Sequence, residues 1–219
     1  MWEPLLLSFT LSLITTAILL VIGVPLAYWL SQSKNKLKPV FESVISLPMI
    51  LPPSVLGFYL LLAFSPNNFF GKFLDQYFSV RLLFSFEGLI IASVIYSLPF
   101  MIHPVQSGFQ NLSPSLKDAA YTLGISPRKT FFRVLIPNIK PALLTGIVLT
   151  FAHTVGEFGV VMMIGGNIPG VTKVASLAIY DEVESMNYDA ANFYSLVLLA
   201  LSFVILLFLF NKKWKTKIF

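Results

Sequence analysis

The chain has 219 residues, 56% of them hydrophobic and only 11% charged, with a formal net charge of +5 and a mean hydropathy of +0.81. That balance excludes an ordinary soluble domain and indicates an all-α polytopic membrane protein, because in lipid a helix satisfies its own backbone groups. Cysteine is absent, which excludes a disulfide framework, a thiolate metal site and a cysteine nucleophile.

Crossing a bilayer takes about 20 apolar residues as helix, and five runs qualify: residues 6–30, 44–64, 87–109, 139–164 and 190–210. The first lacks a basic leader and a small-residue cleavage pattern, so it reads as a retained span and not as a signal peptide. It carries Gly23 and Pro25, the second opens with Pro48, Pro52 and Pro53, and the third carries Pro99 and Pro104. Proline frees a carbonyl four residues back, which membranes tolerate where protein or a water-filled cavity meets the need. These spans therefore suggest a transport pathway, against the plain alternative that proline is common in membrane helices.

Lys and Arg gather after span 1 (Lys34, Lys36, Lys38), after span 3 (Lys117, Arg128, Lys129, Arg133, Lys140) and in the tail (Lys212, Lys213, Lys215, Lys217). The other side holds Lys72, Arg81 and Lys173 beside most of the acids. Basic loops stay in the cytoplasm, so the N-terminus is expected outside and the C-terminus inside. The basic residues then serve the membrane lipid as topological anchors, and no nucleic-acid partner is needed to explain the charge.

The segment 112–137 is polar between spans. Ser113-Pro114 opens a helix and Gly124 is placed to end it in a left-handed cap. Leu116, Ala119, Ala120 and Leu123 fall on one face, and the small Ala119 and Ala120 admit a close partner. Ser126-Pro127 starts a second helix, with Phe131, Phe132, Leu135 and Ile136 apolar and Pro137 as its stop. The pair forms a peg for a hydrophobic groove or an amphipathic element on the lipid surface.

Asp118-Ala119-Ala120, then Gly124, then Val134-Leu135-Ile136-Pro137 resembles the EAA loop of ABC-importer permeases, with Asp118 where Glu is more frequent and Ile136 where Leu is usual. The resemblance extends over nearly the whole chain, residues 1–219, as a single transmembrane permease domain. It implies the type I importer permease fold and a cytoplasmic coupling helix, in which Leu116, Asp118, Ala119, Ala120, Leu123, Gly124 and Pro137 engage an ATPase subunit. It also implies two copies of that ATPase, a second permease copy, an external binding protein and an inner-membrane location. Gly156-Glu157-Phe158-Gly159, Asn167-Ile168-Pro169-Gly170 and residues 179–184 look like the molybdate branch; sulfate and tungstate permeases share much of the pattern.

The residues agree on what the chain lacks. Gly71-Lys72 is followed by Phe73 without an upstream glycine at phosphate-loop spacing, so ATP and Mg are expected on the partner and no cofactor on this chain. His153 and Glu157 share a helix face, but the H-E-x-x-H pattern is missing and neither a third metal ligand nor a Ser-His-Asp signature is evident. No catalytic residue and no metal site are therefore expected. An ion-coupled secondary transporter would show an inverted repeat or paired intramembrane charges, and neither is seen.

Glu157 is expected deep in the fourth span, facing protein or water, since a carboxylate at mid-membrane costs about 2.5–3.5 kcal/mol. It reads as a gate residue or as a structural acid. A carboxylate repels a dianion and so does not read as its ligand. Thr150, Thr154 and Gly156, on the same span, offer transient hydrogen bonds to a moving oxyanion or simply serve helix packing. Asn167, Pro169 and Gly170 read as an external turn of type II geometry, either contacting the binding protein or serving as an ordinary loop.

Overall fold

The computed structural model describes residues 2–210, with side chains through 207. The basic tail, Lys212 to Lys217, lies outside the described residues. Three uninterrupted helices are long and apolar enough to cross a membrane, α1 (Glu3–Gln32), α5 (Phe86–Gln110) and α12 (Tyr188–Phe210). Between them come α2 (Lys38–Ile50), α3 (Pro53–Phe64), the short α4 (Phe69–Phe78), α6 (Pro114–Thr122), α7 (Pro127–Thr130), α8 (Ile136–Asn138), α9 (Lys140–Val155), α10 (Gly159–Gly165) and α11 (Ala175–Glu184). Counting each bent helix pair as one span gives up to five.

The second and fourth expected spans differ from straight rods. Residues 44–64 divide at Leu51-Pro52, where α2 and α3 meet at 111°, because neither Pro52 nor Pro53 can donate back into α2. Residues 139–164 were expected as one helix; α9 instead ends at Val155 and α10 begins at Gly159. Gly156 closes α9 at φ −88°, ψ 2°, and Phe158 leaves helical geometry at φ −125°, ψ −59°. A Cβ on Gly159 would stand 2.6 Å from the Pro53 Cβ, so this glycine lets α10 turn against α3.

α5 packs along α1 and α9 at the centre of the fold. Two apolar clusters are stacked along it. One joins Leu19, Val24, Ala27 and Leu30 of α1 to Met101, Ile102, Val105 and Phe109 of α5 and to Leu135 and Ile139. The other joins Leu11, Leu89 and Ala92 to Val160, Val161 and Ile164 of α10 and to Leu177 of α11. Between these clusters in chain position lie buried hydroxyls: Ser12, Thr15 and Thr16 on α1, Ser93 and Ser97 on α5, Thr150 and Thr154 on α9. A polar layer thus interrupts the apolar core, and Glu157 belongs to it.

Candidate functional site: the coupling segment and the buried carboxylate

α6 begins at Pro114 and ends in a complete left-handed cap. The Gly124 N–H donates to the Tyr121 carbonyl at 2.9 Å and the Ile125 N–H to the Ala120 carbonyl at 3.0 Å, while Gly124 sits at φ +70°. This pairing satisfies carbonyls that the helix end would otherwise leave open, and glycine adopts the conformation without a Cβ penalty. Nothing lies within 4 Å of where a Cβ on Gly124 would point, so conformation and not crowding demands glycine here.

The four residues expected on one face have different environments. Ala120 is buried and Leu116 half-buried, whereas Ala119 and Asp118 are exposed and Leu123 is 78% exposed. α6 leans on α7 and the turn that follows it, which claims one flank of the arc and leaves Ala119 and Leu123 outward.

Pro137 does not stop the second helix. α7 passes into a π-helical turn, Phe131–Leu135, in which the Ile136 N–H reaches the Phe131 carbonyl, and helical geometry resumes through Pro137 to Asn138. Pro137 has no N–H for the Arg133 carbonyl and its ring crowds that carbonyl; the wider turn accommodates this local defect. Ile139 (φ −104°, ψ 13°) then breaks the chain, and the arm 127–138 meets α9 at 76°. Phe131 on the π turn packs on Tyr28 of α1 at 5.0 Å between ring centroids and on Phe109 of α5 at 6.0 Å. Tyr28 and Phe109 are themselves 5.0 Å apart.

Glu157 lies in the break after α9 and not within a helix, yet it is only 4% exposed. Its Oε2 accepts a 2.8 Å hydrogen bond from Ser93 Oγ of α5, and its backbone carbonyl accepts one of 2.6 Å from Ser176 Oγ of α11. Oε1 has no partner among the described residues. One helical turn along α5, Ser97 Oγ lies 2.9 Å from Thr154 Oγ1 and 3.0 Å from His153 Nδ1. Thr154 Oγ1 also donates to the Thr150 carbonyl at 2.9 Å. His153 stacks on Phe100 with centroids 4.0 Å apart, which gives this histidine a packing role. Ser93, Ser97 and Ser176 were missed in sequence; only the four-residue spacing of Ser93 and Ser97 hinted at a shared face.

Asn167, Pro169 and Gly170 form the expected turn. The Val171 N–H donates to the Ile168 carbonyl at 3.2 Å, with Gly170 at φ +75°, as a type II turn requires. Asn167 Nδ2 donates to both Asp181 oxygens at 2.8 and 2.9 Å, and Lys173 pairs with the same carboxylate at 2.5 Å. Ser8 of α1 accepts from the Ala175 N–H at the start of α11. The turn is therefore fixed to the body of the fold, some distance in sequence from the segment 112–137, and α10 and α11 link it to Glu157.

Residues 20–214 match the family described as the binding-protein-dependent transport system inner membrane component. The molybdenum transport system permease protein of Azotobacter vinelandii is 43% identical over 94% of this chain and 92% of its own length. A putative molybdenum transport system permease protein of Bacillus subtilis is 33% identical over 97% and 93%. The sulfate transport system permease protein of Escherichia coli is 34% identical over 85% and 67%. Among solved structures, an inward-facing methionine ABC transporter superposes with a TM-score of 0.69 at 16% identity, covering 100% of this chain and 94% of that one. A bacterial ABC transporter that imports alginate gives 0.71 at 17% identity, covering 93% and 77%. The fold is thus that of the ABC-importer permeases, and the kinship with permease subunits makes the chain a transport component and not an enzyme. The chain belongs to the family of inner membrane components of binding-protein-dependent transport systems.

Proposed function

We propose that the chain is the permease subunit through which molybdate enters the cell, driven by a separate ATPase. The observation that carries this reading is the 43% identity to the molybdenum permease of Azotobacter vinelandii across nearly the full length of both chains. No phosphate-binding loop is present in the sequence, so ATP and Mg belong to the partner. Two copies of the permease enclose the pathway on a two-fold axis, since up to five spans are few to surround a hydrophilic route alone. The N-terminus lies outside and the C-terminus in the cytoplasm, as the Lys and Arg distribution favours.

In this mechanism the exposed Ala119 of α6 and Leu123 at its C-cap enter a groove on each of two ATPase subunits. ATP-driven closure of those subunits moves the arm 112–137, and the attached spans swing between inward- and outward-open states. Glu157 acts as a gate residue: its bonds to Ser93 and Ser176 hold the end of α9 to α5 and α11, and their exchange accompanies opening. Thr150, Thr154 and Gly156 line the same level. Asn167, Pro169 and Gly170 offer a fixed turn to the external binding protein, which captures the oxyanion. The acidic Asp181, Glu182 and Glu184 disfavour capture of a free dianion by this surface.

Sulfate and tungstate are the second reading, supported for sulfate by the identity to the Escherichia coli sulfate permease. Reconstituting the permease with its ATPase and binding protein, and measuring which oxyanion stimulates ATP hydrolysis, tests both. Molybdate is expected to stimulate most; equal or greater stimulation by sulfate overturns the cargo assignment. Stable uptake without ATP overturns the ATPase-driven reading itself.

A further inference from the structure

We infer that α4 is an interfacial helix whose aromatic stripe is seated in the membrane at the boundary where α3 ends. At 10 residues it is about 15 Å long, half of what a crossing needs, so it is no span. Its sides have three distinct characters. Gly71 and Leu74 face the protein: a Cβ on Gly71 would stand 2.1 Å from the Ser65 carbonyl oxygen, and Leu74 packs on the apolar cluster around α10. Phe69, Phe73 and Tyr77 recur every four residues along a second side and are 86%, 43% and 73% exposed. Lys72, exposed, and Asp75, paired with Arg81, follow on a third.

A helix bordered by protein, aromatic rings and polar groups in turn suits the junction of protein, lipid and water. Aromatic rings are enriched at that level of the bilayer. The stripe also continues an exposed apolar surface, because α3 leads directly into α4 with Phe58, Tyr59 and Leu62 exposed. The position of α4 is fixed and not incidental. Asn68 accepts from the Phe69 N–H at 2.8 Å and donates to the Leu62 carbonyl at 3.0 Å, locking the helix start to the end of α3. Arg81 makes two bonds to Asp75 at 3.1 and 3.3 Å, closing the other end. Ten residues held this rigidly with their rings outward fit a bilayer better than a mobile protein partner. The inference rests on the membrane location of the family and is independent of the cargo.

The test uses the full chain with Trp2, Trp29 and Trp214 replaced by Phe, reconstituted in phosphatidylcholine vesicles brominated at shallow or deep acyl positions. Phe69→Trp and, separately, Tyr77→Trp are expected to emit at shorter wavelength than Lys72→Trp and to be quenched most by the shallow bromines. Lys72→Trp is expected to stay unquenched. Solvent-like emission from both stripe variants, unaffected by either lipid, overturns the inference. So does quenching by neither lipid together with a blue shift on adding the external binding protein, which assigns the stripe to a protein partner. Either stripe variant that retains the helical circular dichroism of the parent suffices for the reading.

Discussion

Ser93 Oγ donates to Glu157 Oε2 across 64 residues of sequence at 2.8 Å, joining α5 to the break that ends α9. Removing the donor leaves a buried carboxylate oxygen without its partner, a loss of about 1–3 kcal/mol. Ser93→Ala is therefore expected to lower the thermal midpoint of the purified permease. Glu157→Gln keeps the size of the side chain and an acceptor oxygen, and should cost less in the Ser93→Ala background than alone, since the two residues form one network. Additive shifts in a double-mutant cycle would show that they act separately. Unchanged uptake and unchanged basal ATP hydrolysis in Glu157→Gln would remove its gating role.

Gly124 separates folding from docking. At φ +70° a side chain costs about 1–2 kcal/mol, but asparagine tolerates that conformation and the space beside it is open within this chain. Gly124→Asn is expected to keep the parent's thermal midpoint yet pull down less ATPase subunit, because its side chain meets the partner's groove. Gly124→Val should lose both stability and capture. Full capture by both variants would place the groove elsewhere.

Phe84 takes a left-handed conformation, φ +61°, which is rare for a bulky residue. Its N–H donates to the Ile164 carbonyl at 2.9 Å, and a Cβ on Gly166, itself at φ +64°, would stand 2.5 Å from the Phe84 ring. Gly166→Ala thus meets both a steric and a conformational penalty, together about 2–4 kcal/mol. Adding Phe84→Ala should recover the steric part in thermal unfolding. No recovery would mean that the ring moves aside freely.

Asp181 carries a pH dependence. Burial pushes its carboxyl up, but the bonds from Lys173 and Asn167 and the Lys173 charge outweigh that and hold it below the usual aspartate value. A depressed folded pKa contributes stability above the unfolded value, about 3.9, and that contribution is lost as pH falls through the lower folded value. Amide exchange in residues 166–174, corrected for its intrinsic pH dependence, should therefore report easier opening below about pH 4. Asp181→Asn should open more readily at neutral pH and lose that acid dependence. A pH-independent opening in the parent chain would rule out this clasp.

Much of the fold was legible because lipid demands long apolar runs, and α1, α5 and α12 follow from that demand alone. Gly124 was legible as a cap and Pro169-Gly170 as a turn, since both are local conformational requirements. The end of α9 at Val155 was not, because Gly156 is tolerated inside membrane helices and the break depends on where α10 packs. The differing exposure of Ala119 and Ala120 likewise depends on α7 and the π turn, which periodicity cannot supply. Pro137 looked like a stop, but a π turn absorbed it. Ser93 was silent in sequence because its significance lies in Glu157, on another element.

The three rings of Tyr28, Phe109 and Phe131 give the arm 112–137 a second connection to the core. Covalently the arm leaves the end of α5 and enters α9 through an elbow at Ile139, where Pro137 and Pro141 on either side have no N–H to donate. Through the rings it also bears on α1 and α5, the two longest helices of the core. In the proposed coupling, a pull on α6 therefore reaches α1, α5 and α9 together, with the elbow as a pivot and the rings as its bearing, and one short helix moves three long ones as a block.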